Sequence, residues 1–370
     1  MKKLYMFTNL QPRARVDPGA RRFLTSAITV MTAVCLMSGS AFAQNNVEAD
    51  DVKDRGGQVG FCSQTATLLF LSCGKEAEDD FFKVQAICLN VSDNTERRQC
   101  FADITTAQNE DQQLCRAQLT ARRNACKSLG EGRYDPNFVP ALFDNPRNLP
   151  RLNRYHPLKI GNKWDYAGGG ETISIEVRNE TKLIDGVTCV VVRDRVTKDG
   201  ELAEDTDDWF AQAKNGDIYY CGEEVKDFES FDGDIPRLPE LTSIDGSFKV
   251  GRGGAKVGIS FLGSPILGKV YRQEFAPTEA EDLAEVVSTT YAFGGNPELD
   301  RFVPPQLAAR LCSRDCVVTK EYSPLEPGVF ARKCYARGIG FFLEVKPNTG
   351  EAVQLVNCNF DARCNGLPTP

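Results

Sequence analysis

The sequence predicts an α+β protein: an N-terminal disulfide-bonded helical hairpin, then a curved antiparallel β-sheet. Three observations carry that expectation. Six cysteines between positions 62 and 126 are spaced symmetrically about one point. A proline-rich stretch follows them, and beyond it the apolar periodicity becomes two, the period of a strand. The 370 residues suffice for two or three domains, and with 41% hydrophobic and 26% charged residues the composition is that of a globular chain. The expected organisation is an export signal at 1–43, a cysteine-rich helical hairpin at 44–129, a Pro-rich linker at 130–157 and a β-rich domain at 158–370.

The first segment reads as an address. Lys2, Lys3, Arg13, Arg15, Arg21 and Arg22 precede an apolar run from Phe23 to Met37, and Ala41-Phe42-Ala43 supplies a small-residue cleavage site. The run is too short to span a bilayer. Arg21-Arg22-Phe23-Leu24 lacks the residue that separates the arginines from Phe in a twin-arginine signal. Val34 stands before Cys35 where a lipoprotein signal carries a small residue. Plain export to the periplasm or the extracellular space is expected, with a cut after Ala43. No other stretch is long and apolar enough to cross a membrane. Residues 1–43 carry six of the 44 basic and one of the 51 acidic residues, so the remainder has a net charge of −12. That balance excludes a nucleic-acid binder, whose affinity comes from cations set against phosphates.

The hairpin is read from spacing. Cys62, Cys73, Cys88, Cys100, Cys115 and Cys126 are separated by 11, 15, 12, 15 and 11 residues, a palindrome centred on position 94. At 100° per residue a step of 11 returns close to the same helix face, and a step of 15 stays near it. Two helices folded back about Val91-Ser92-Asp93-Asn94-Thr95 would place one cysteine stripe against the other. Leu69, Val84 and Ile87 accompany the first stripe, and Ile104, Leu119 and Leu129 the second. Six cysteines allow fifteen connectivities; the symmetry selects Cys62–Cys126, Cys73–Cys115 and Cys88–Cys100. No C-x-x-C spacing favours zinc.

Pro136, Pro140, Pro146, Pro150 and Pro157 make the next stretch a linker or an extended wrap. Strands are then expected at 172–178, 187–196, 204–212 and 217–221, with turns at Asp199-Gly200 and Asn215-Gly216. Later strands are expected at 269–275, 284–291, 316–322, 328–336, 341–345 and 352–357. Two-residue turns would set Cys189 opposite Phe210 and Phe210 opposite Cys221. The two cysteines would then be about 9–10 Å apart with a strand between them, beyond disulfide reach. Cys189, Val191, Phe210 and Tyr219 would point one way, and Val190, Trp209, Ala211 and Tyr220 the other. A sheet apolar on both faces is covered on both, or one face lines a cavity. A pocket walled by Trp209, Phe210, Tyr219 and Tyr220 is therefore the candidate site for an apolar ligand.

Chemistry is sparse. No G-x-S-x-G, H-E-x-x-H, phosphate-loop or dinucleotide motif occurs. Gly251-Arg252-Gly253-Gly254 lacks the Lys-Ser/Thr of a phosphate loop and reads as a flexible turn. The single histidine, His156, excludes a multi-histidine metal site and reads as structural or solvated. In the register above Asp194 faces Asp205 with Asp207 beside it. Such a trio could hold Ca²⁺ or serve a carboxylate-dependent hydrolase. Arg195 opposite Glu204 makes a solvated polar edge the plainer reading, and no other cofactor is expected.

Several segments together are similar to a group of uncharacterised exported bacterial proteins. They are Tyr155-His156-Pro157-Leu158 through Trp164, Glu180-Thr181-Lys182, Asp185-Gly186-Val187, Asp208-Trp209-Phe210-Ala211-Gln212, Tyr271-Arg272-Gln273-Glu274-Phe275, Ser323-Pro324-Leu325-Glu326-Pro327-Gly328 and Ala336-Arg337-Gly338-Ile339-Gly340. The resemblance spans about 150–360. It implies a curved antiparallel sheet similar to the half-barrels of lipoprotein carriers, and no activity or catalytic residue. Cys334 and Arg337 stand where the resemblance leads us to expect tyrosine and proline, which makes Cys334 the candidate for an unpaired thiol. The expected function is a non-enzymatic binding or structural role outside the cytoplasm, with an apolar small molecule or a protein partner. The alternatives are the hydrolase and a surface adaptor that docks through the hairpin.

Overall fold

The computed structural model describes residues 60–370; the expected export signal and the residues up to 59 lie outside the described residues. Helices α1 (Phe61–Leu89) and α2 (Asn94–Leu129) form the antiparallel hairpin. The reversal follows from local chemistry. Asp93 caps α2 by accepting hydrogen bonds from the Thr95 and Glu96 amides at 2.7 and 2.9 Å, satisfying donors that a helix start leaves open. Gly130, at φ 90°, ends α2, a backbone conformation that glycine adopts without penalty. Three rungs, Cys62–Cys126, Cys73–Cys115 and Cys88–Cys100, join the helices at Cα separations of 5.7, 5.7 and 5.6 Å. Near the tip Cys88, Cys100 and Ile104 pack with Phe81, Val84 and Phe101. Ile87, expected on the inner stripe, is instead exposed. The accumulated angular drift of the 15-residue step turns it outward.

The segment after α2 is an extended wrap. It lays Phe138 and Phe143 on the outside of the sheet, where the Asp144 amide donates to the Gln212 carbonyl and the Lys214 amide to Leu142. Strands follow in the order β1 (Lys163–Gly168), β2 (Glu171–Ile184), β3 (Val187–Lys198), β4 (Glu201–Gln212), β5 (Ile218–Glu224), β6 (Asp227–Glu229), β7 (Glu240–Ser243), β8 (Phe248–Lys249), β9 (Gly258–Phe261), β10 (Val270–Arg272) and β11 (Leu283–Tyr291). Two short helices come next, α3 (Pro297–Asp300) and α4 (Pro305–Leu311). β12 (Cys316–Tyr322), β13 (Ala331–Ala336), β14 (Gly340–Val345) and β15 (Ala352–Cys358) complete the set.

All strands belong to one antiparallel sheet with the path β10-β11-β12-β13-β14-β15-β1-β2-β3-β4-β5-β8. β1, which the sequence reading did not mark as a strand, is the hinge of this order: it pairs with β15 on one side and β2 on the other. The sheet curls without closing. Its two ends meet at a backbone bridge, where the Lys256 amide donates to the Phe275 carbonyl at 2.8 Å, and through Gln273 Nε2, which donates to the Ser260 carbonyl at 3.1 Å. Gly258 lies at this seam, and a Cβ there would fall 1.9 Å from the Gln273 carbonyl oxygen. The main core draws on β1 to β5 and β9 to β15, with Leu307 and Leu311 of α4 plugging it. A core fed from all round a curled sheet is the filling of its concave side. The outer face carries a smaller core of Ile184, Val187, Cys189, Val191, Trp209, Ala211, Cys221 and Val257 beneath the wrap.

Two bulges and a turn of three residues, 214–216, change the expected register; beyond Cys221 the pairing of β4 with β5 is again the expected one. Thr197 pairs with Leu202, but Val196 pairs with Glu204, so Ala203 is an extra residue in β4. Phe210 pairs with Tyr220, but Trp209 pairs with Gly222, so Cys221 is an extra residue in β5. A one-residue slip moves side chains to the opposite face. Trp209 and Ala211 therefore join Cys189 and Val191 on the outer face, while Phe210 and Tyr220 join Val190 inside. Contrary to expectation, Cys189 and Cys221 are bonded, with Cα atoms 6.8 Å apart. The bulge at Cys221 re-aims its side chain and brings it within reach across β4. Cys312–Cys316 and Cys358–Cys364 bring the disulfides among the described residues to six, and Cys334 is a buried free thiol. No described helix is long and apolar enough to cross a membrane.

Candidate functional site

The expected aromatic site is divided between two cores. Phe210 stacks on Tyr220 with centroids 4.7 Å apart and the His156 ring packs against Phe210 at 5.4 Å, all on the concave side. Tyr220 donates a hydrogen bond to Asp208. On the outer side Trp209 lies beneath the Lys182 ammonium, 3.7 Å from its ring centroid, and Tyr219 meets Phe143 edge-on at 5.1 Å. The four aromatics occupy opposite faces of β4 and β5, so they do not form one wall. Their surroundings are protein side chains that fill the core.

The expected carboxylate trio is separated by the same slip. Asp194 pairs with Thr206 and is buried on the concave side, whereas Arg195 stands opposite Asp205 and Arg193 opposite Asp207. Asp205 is held by the Arg193 guanidinium, with Nε 2.7 Å from Oδ1. Asp194, Asp205 and Asp207 therefore do not share one face, and the arrangement expected for Ca²⁺ or hydrolysis is not formed. What the register instead assembles is an inner group of Asp194, Glu204, Asp208, Glu223 and Asp227, all buried. Burial, and behind it the charges of Asp227, Glu223 and Asp208, push the Glu204 carboxyl well above the ordinary carboxylate range. Thr206 donates to it at 2.8 Å. Burial also lowers His156 to about 4, leaving a neutral imidazole against Phe210. Elsewhere Lys333 is fully buried between Glu321 at 2.6 Å and Glu344 at 3.7 Å, an internal pin linking β12, β13 and β14.

A substantial opening lies where the hairpin meets the seam of the sheet. It is a cleft of about 400 Å³. One wall is the start of α1, with Phe61, Leu68 and Leu69, and another is the end of α2, with Arg122 and Ala125. Tyr134, Lys256, Arg272, Phe275, Glu281 and Pro324 close it from the wrap and the sheet. The walls are fixed by strong contacts. The Cys62–Cys126 rung lines the cleft. Arg122 makes two parallel hydrogen bonds of 2.8 Å to Glu281, both residues being buried. Gln118 Nε2 donates to the Leu325 carbonyl at 2.9 Å, and the Tyr134 hydroxyl to Val257 at 2.8 Å. Burial pushes the Tyr134 phenol up to about 12, so it remains a neutral donor.

Sequence reading missed this site because its walls come from four separate stretches, 61–69, 122–135, 256–281 and Pro324. The only available signal was Arg272, which alternates with apolar Tyr271 and aromatic Phe275 in a predicted strand. Cys62, Cys126 and Glu131 also place ligand-type atoms within 4.8 Å of one another. Their sulfurs are joined in a disulfide, and only free thiolates ligate metals. Along the outside of α1, Leu68, Leu71, Phe82 and Leu89 form an exposed apolar stripe. No protein-family model, curated protein or solved structure matches this chain.

Proposed function

We propose that this is an exported, non-enzymatic binding protein whose ligand is a small, mainly apolar molecule held in the cleft between the disulfide hairpin and the seam of the curved sheet. The observation that carries the reading is the cleft itself. Ligand sites are concave, predominantly apolar, largely preformed and of roughly 300–1,000 Å³, and this opening of about 400 Å³ has mostly apolar walls held by a disulfide and a buried ion pair. The site thus lies beside, not among, the aromatic residues of β4 and β5. The carboxylate-dependent alternative loses its support because its three aspartates do not meet. Export is supported by six disulfides in the described chain, which persist in oxidising compartments. N-terminal sequencing of protein from its own host is expected to begin at Gln44.

The test of binding uses the neutral fluorophore N-phenyl-1-naphthylamine. Saturable fluorescence enhancement is expected with the full chain, and Thr65→Trp, which places an indole in the cleft, is expected to abolish it. Absence of saturable binding, together with only the apo mass in native mass spectrometry of host-purified protein, would overturn the reading.

A further inference from the structure

The charge lining the cleft is opposite in sign to that of the chain. The whole sequence carries a net charge of −7, yet Arg122, Arg133, Lys256 and Arg272 face the opening against only two carboxylates, Asp135 and Glu281. Both carboxylates are engaged. Glu281 accepts two hydrogen bonds from Arg122, and Asp135 accepts one from Lys256 at 2.7 Å. The neighbouring Glu131 is bound by the Ser63 amide and hydroxyl at the start of α1. Two guanidinium groups remain. Arg133 is exposed, with its guanidinium over the Phe61 ring at 4.4 Å. Arg272 is half-buried, its guanidinium 5.0 Å from the Phe275 ring centroid and 5.3 Å from that of Tyr134. Its Nη2 approaches Cys62 Sγ at 3.7 Å, and it forms no ion pair among the described residues.

A guanidinium cannot shed its proton to escape an apolar setting, and a charge withdrawn from water is stable only when paired. Aromatic faces compensate a cation only in part. A second, independent feature points the same way. Nη1 of Arg122, on a side chain that is 5% exposed, is buried and has no hydrogen-bond partner. The cleft thus combines a half-buried cation that forms no ion pair, a wall residue, Arg122, whose buried Nη1 lacks a partner, and the apolar side chains of Phe61, Leu69, Phe275 and Pro324. Arginine's planar fork is suited to two-point recognition of carboxylate or phosphate oxygens.

We infer that the ligand is a single-chain amphiphile with an anionic oxygen headgroup, a carboxylate or a phosphate monoester, seated on Arg272 with its hydrocarbon chain along Phe61, Leu69 and Phe275. This inference rests on the binding role proposed above and adds the chemistry of the head. Displacement of N-phenyl-1-naphthylamine by decanoate, decyl phosphate and decanol, each below its aggregation concentration, tests it. At least one anion is expected to displace the probe at a concentration tenfold or more below that of decanol, and the stronger of the two identifies the headgroup. Arg272→Gln is expected to bring that anion to the level of decanol, each displacement being read against the variant's own probe affinity. Equal displacement by decanol and both anions overturns the headgroup assignment but leaves the binding role standing; failure of the probe itself to bind overturns both. The comparison in the unaltered protein decides the question even if the variant does not fold. Arg133→Gln, at the exposed guanidinium, is expected to preserve the preference for the anion, and loss of that preference there would assign the head to Arg133 and overturn the role of Arg272.

Discussion

Arg122 of α2 and Glu281, just before β11, form a two-point ion pair with both hydrogen bonds at 2.8 Å, and they are 159 residues apart in the chain. Glu281 also accepts from the Thr278 amide at 2.9 Å. This pair fastens the hairpin to the sheet, together with the Gln118 hydrogen bond to the Leu325 carbonyl. Removing one member of a buried pair leaves the other charge uncompensated, at about 3–5 kcal/mol. Glu281→Gln is expected to destabilise by about 3 kcal/mol in guanidinium titrations and to raise hydrogen exchange at the C-terminal half of α2. A change below about 1 kcal/mol with unaltered exchange would show that the hairpin is fastened elsewhere.

The outer rung makes a related prediction. Cys62–Cys126 is nested outside Cys73–Cys115, so with the next rung intact it closes a loop of about 22 residues, worth about 3 kcal/mol in the chain-entropy account. The double substitution Cys62→Ser, Cys126→Ser is expected to lose about that much and to weaken probe binding, because the rung is also a wall of the cleft. Unchanged probe binding would place the ligand away from α1.

His156 predicts an acid limb of stability. Its ordinary value is 6.5 and burial lowers it to about 4 in the folded protein. Below pH 6.5 the unfolded chain takes up a proton that the folded chain refuses, so the contribution is whole above 6.5 and falls as the pH approaches 4. The loss is about 3 kcal/mol at most. Subtracting the pH profile of His156→Gln from that of the unaltered protein should isolate this slope; a flat difference between pH 4 and 7 contradicts it.

Glu204 predicts the opposite sign. Its folded value is raised above the ordinary 4.5, first by burial and then by neighbouring carboxylates. The unfolded chain therefore releases its proton first, and stability declines as the pH rises above 4.5 toward the folded value. Glu204→Gln keeps the shape and removes the titration. The difference in melting temperature between the variant and the unaltered protein is expected to grow in the variant's favour as the pH rises above 4.5. A difference that stays flat or falls above pH 4.5 would contradict the raised value.

Cys334 is buried, and burial pushes its thiol up to about 12. Thiolate is the reactive form. A chain beginning at Gln44 is expected to give no reaction with a thiol reagent at pH 8 when folded and one thiol after unfolding. More than one would contradict the six-disulfide pattern.

Those features that depend on short-range geometry were legible. A palindrome of cysteines translates into facing helix stripes because the helix repeat is the same everywhere. The turn residues at Asp93, Asp199-Gly200 and Asn215-Gly216 state where the chain reverses. Even Cys334 could be singled out, through a resemblance. The register of β3, β4 and β5 could not be read, because the Ala203 bulge inserts a single residue, which leaves no mark in an alternating apolar pattern, and the turn about Asn215-Gly216 takes three residues where two were expected. From the Ala203 bulge followed the errors at Asp194 and Trp209, and from the longer turn, with the extra residue Cys221 that compensates it, the error at the Cys189–Cys221 bond.

By itself, then, the amino-acid sequence determined the helical hairpin, its three rungs, the change to a β-rich body and the availability of a single histidine. These are consequences of periodicity, spacing and composition. The tertiary structure alone decided that β1 joins β15, that the sheet curls until Lys256 touches Phe275, and that Arg122 reaches Glu281. The cleft arises only from that closure, because Phe61, Tyr134, Lys256 and Arg272 become neighbours when the hairpin docks on the seam. No local pattern encodes such a meeting; the physical reason is that it is set by packing between segments that are distant in the chain.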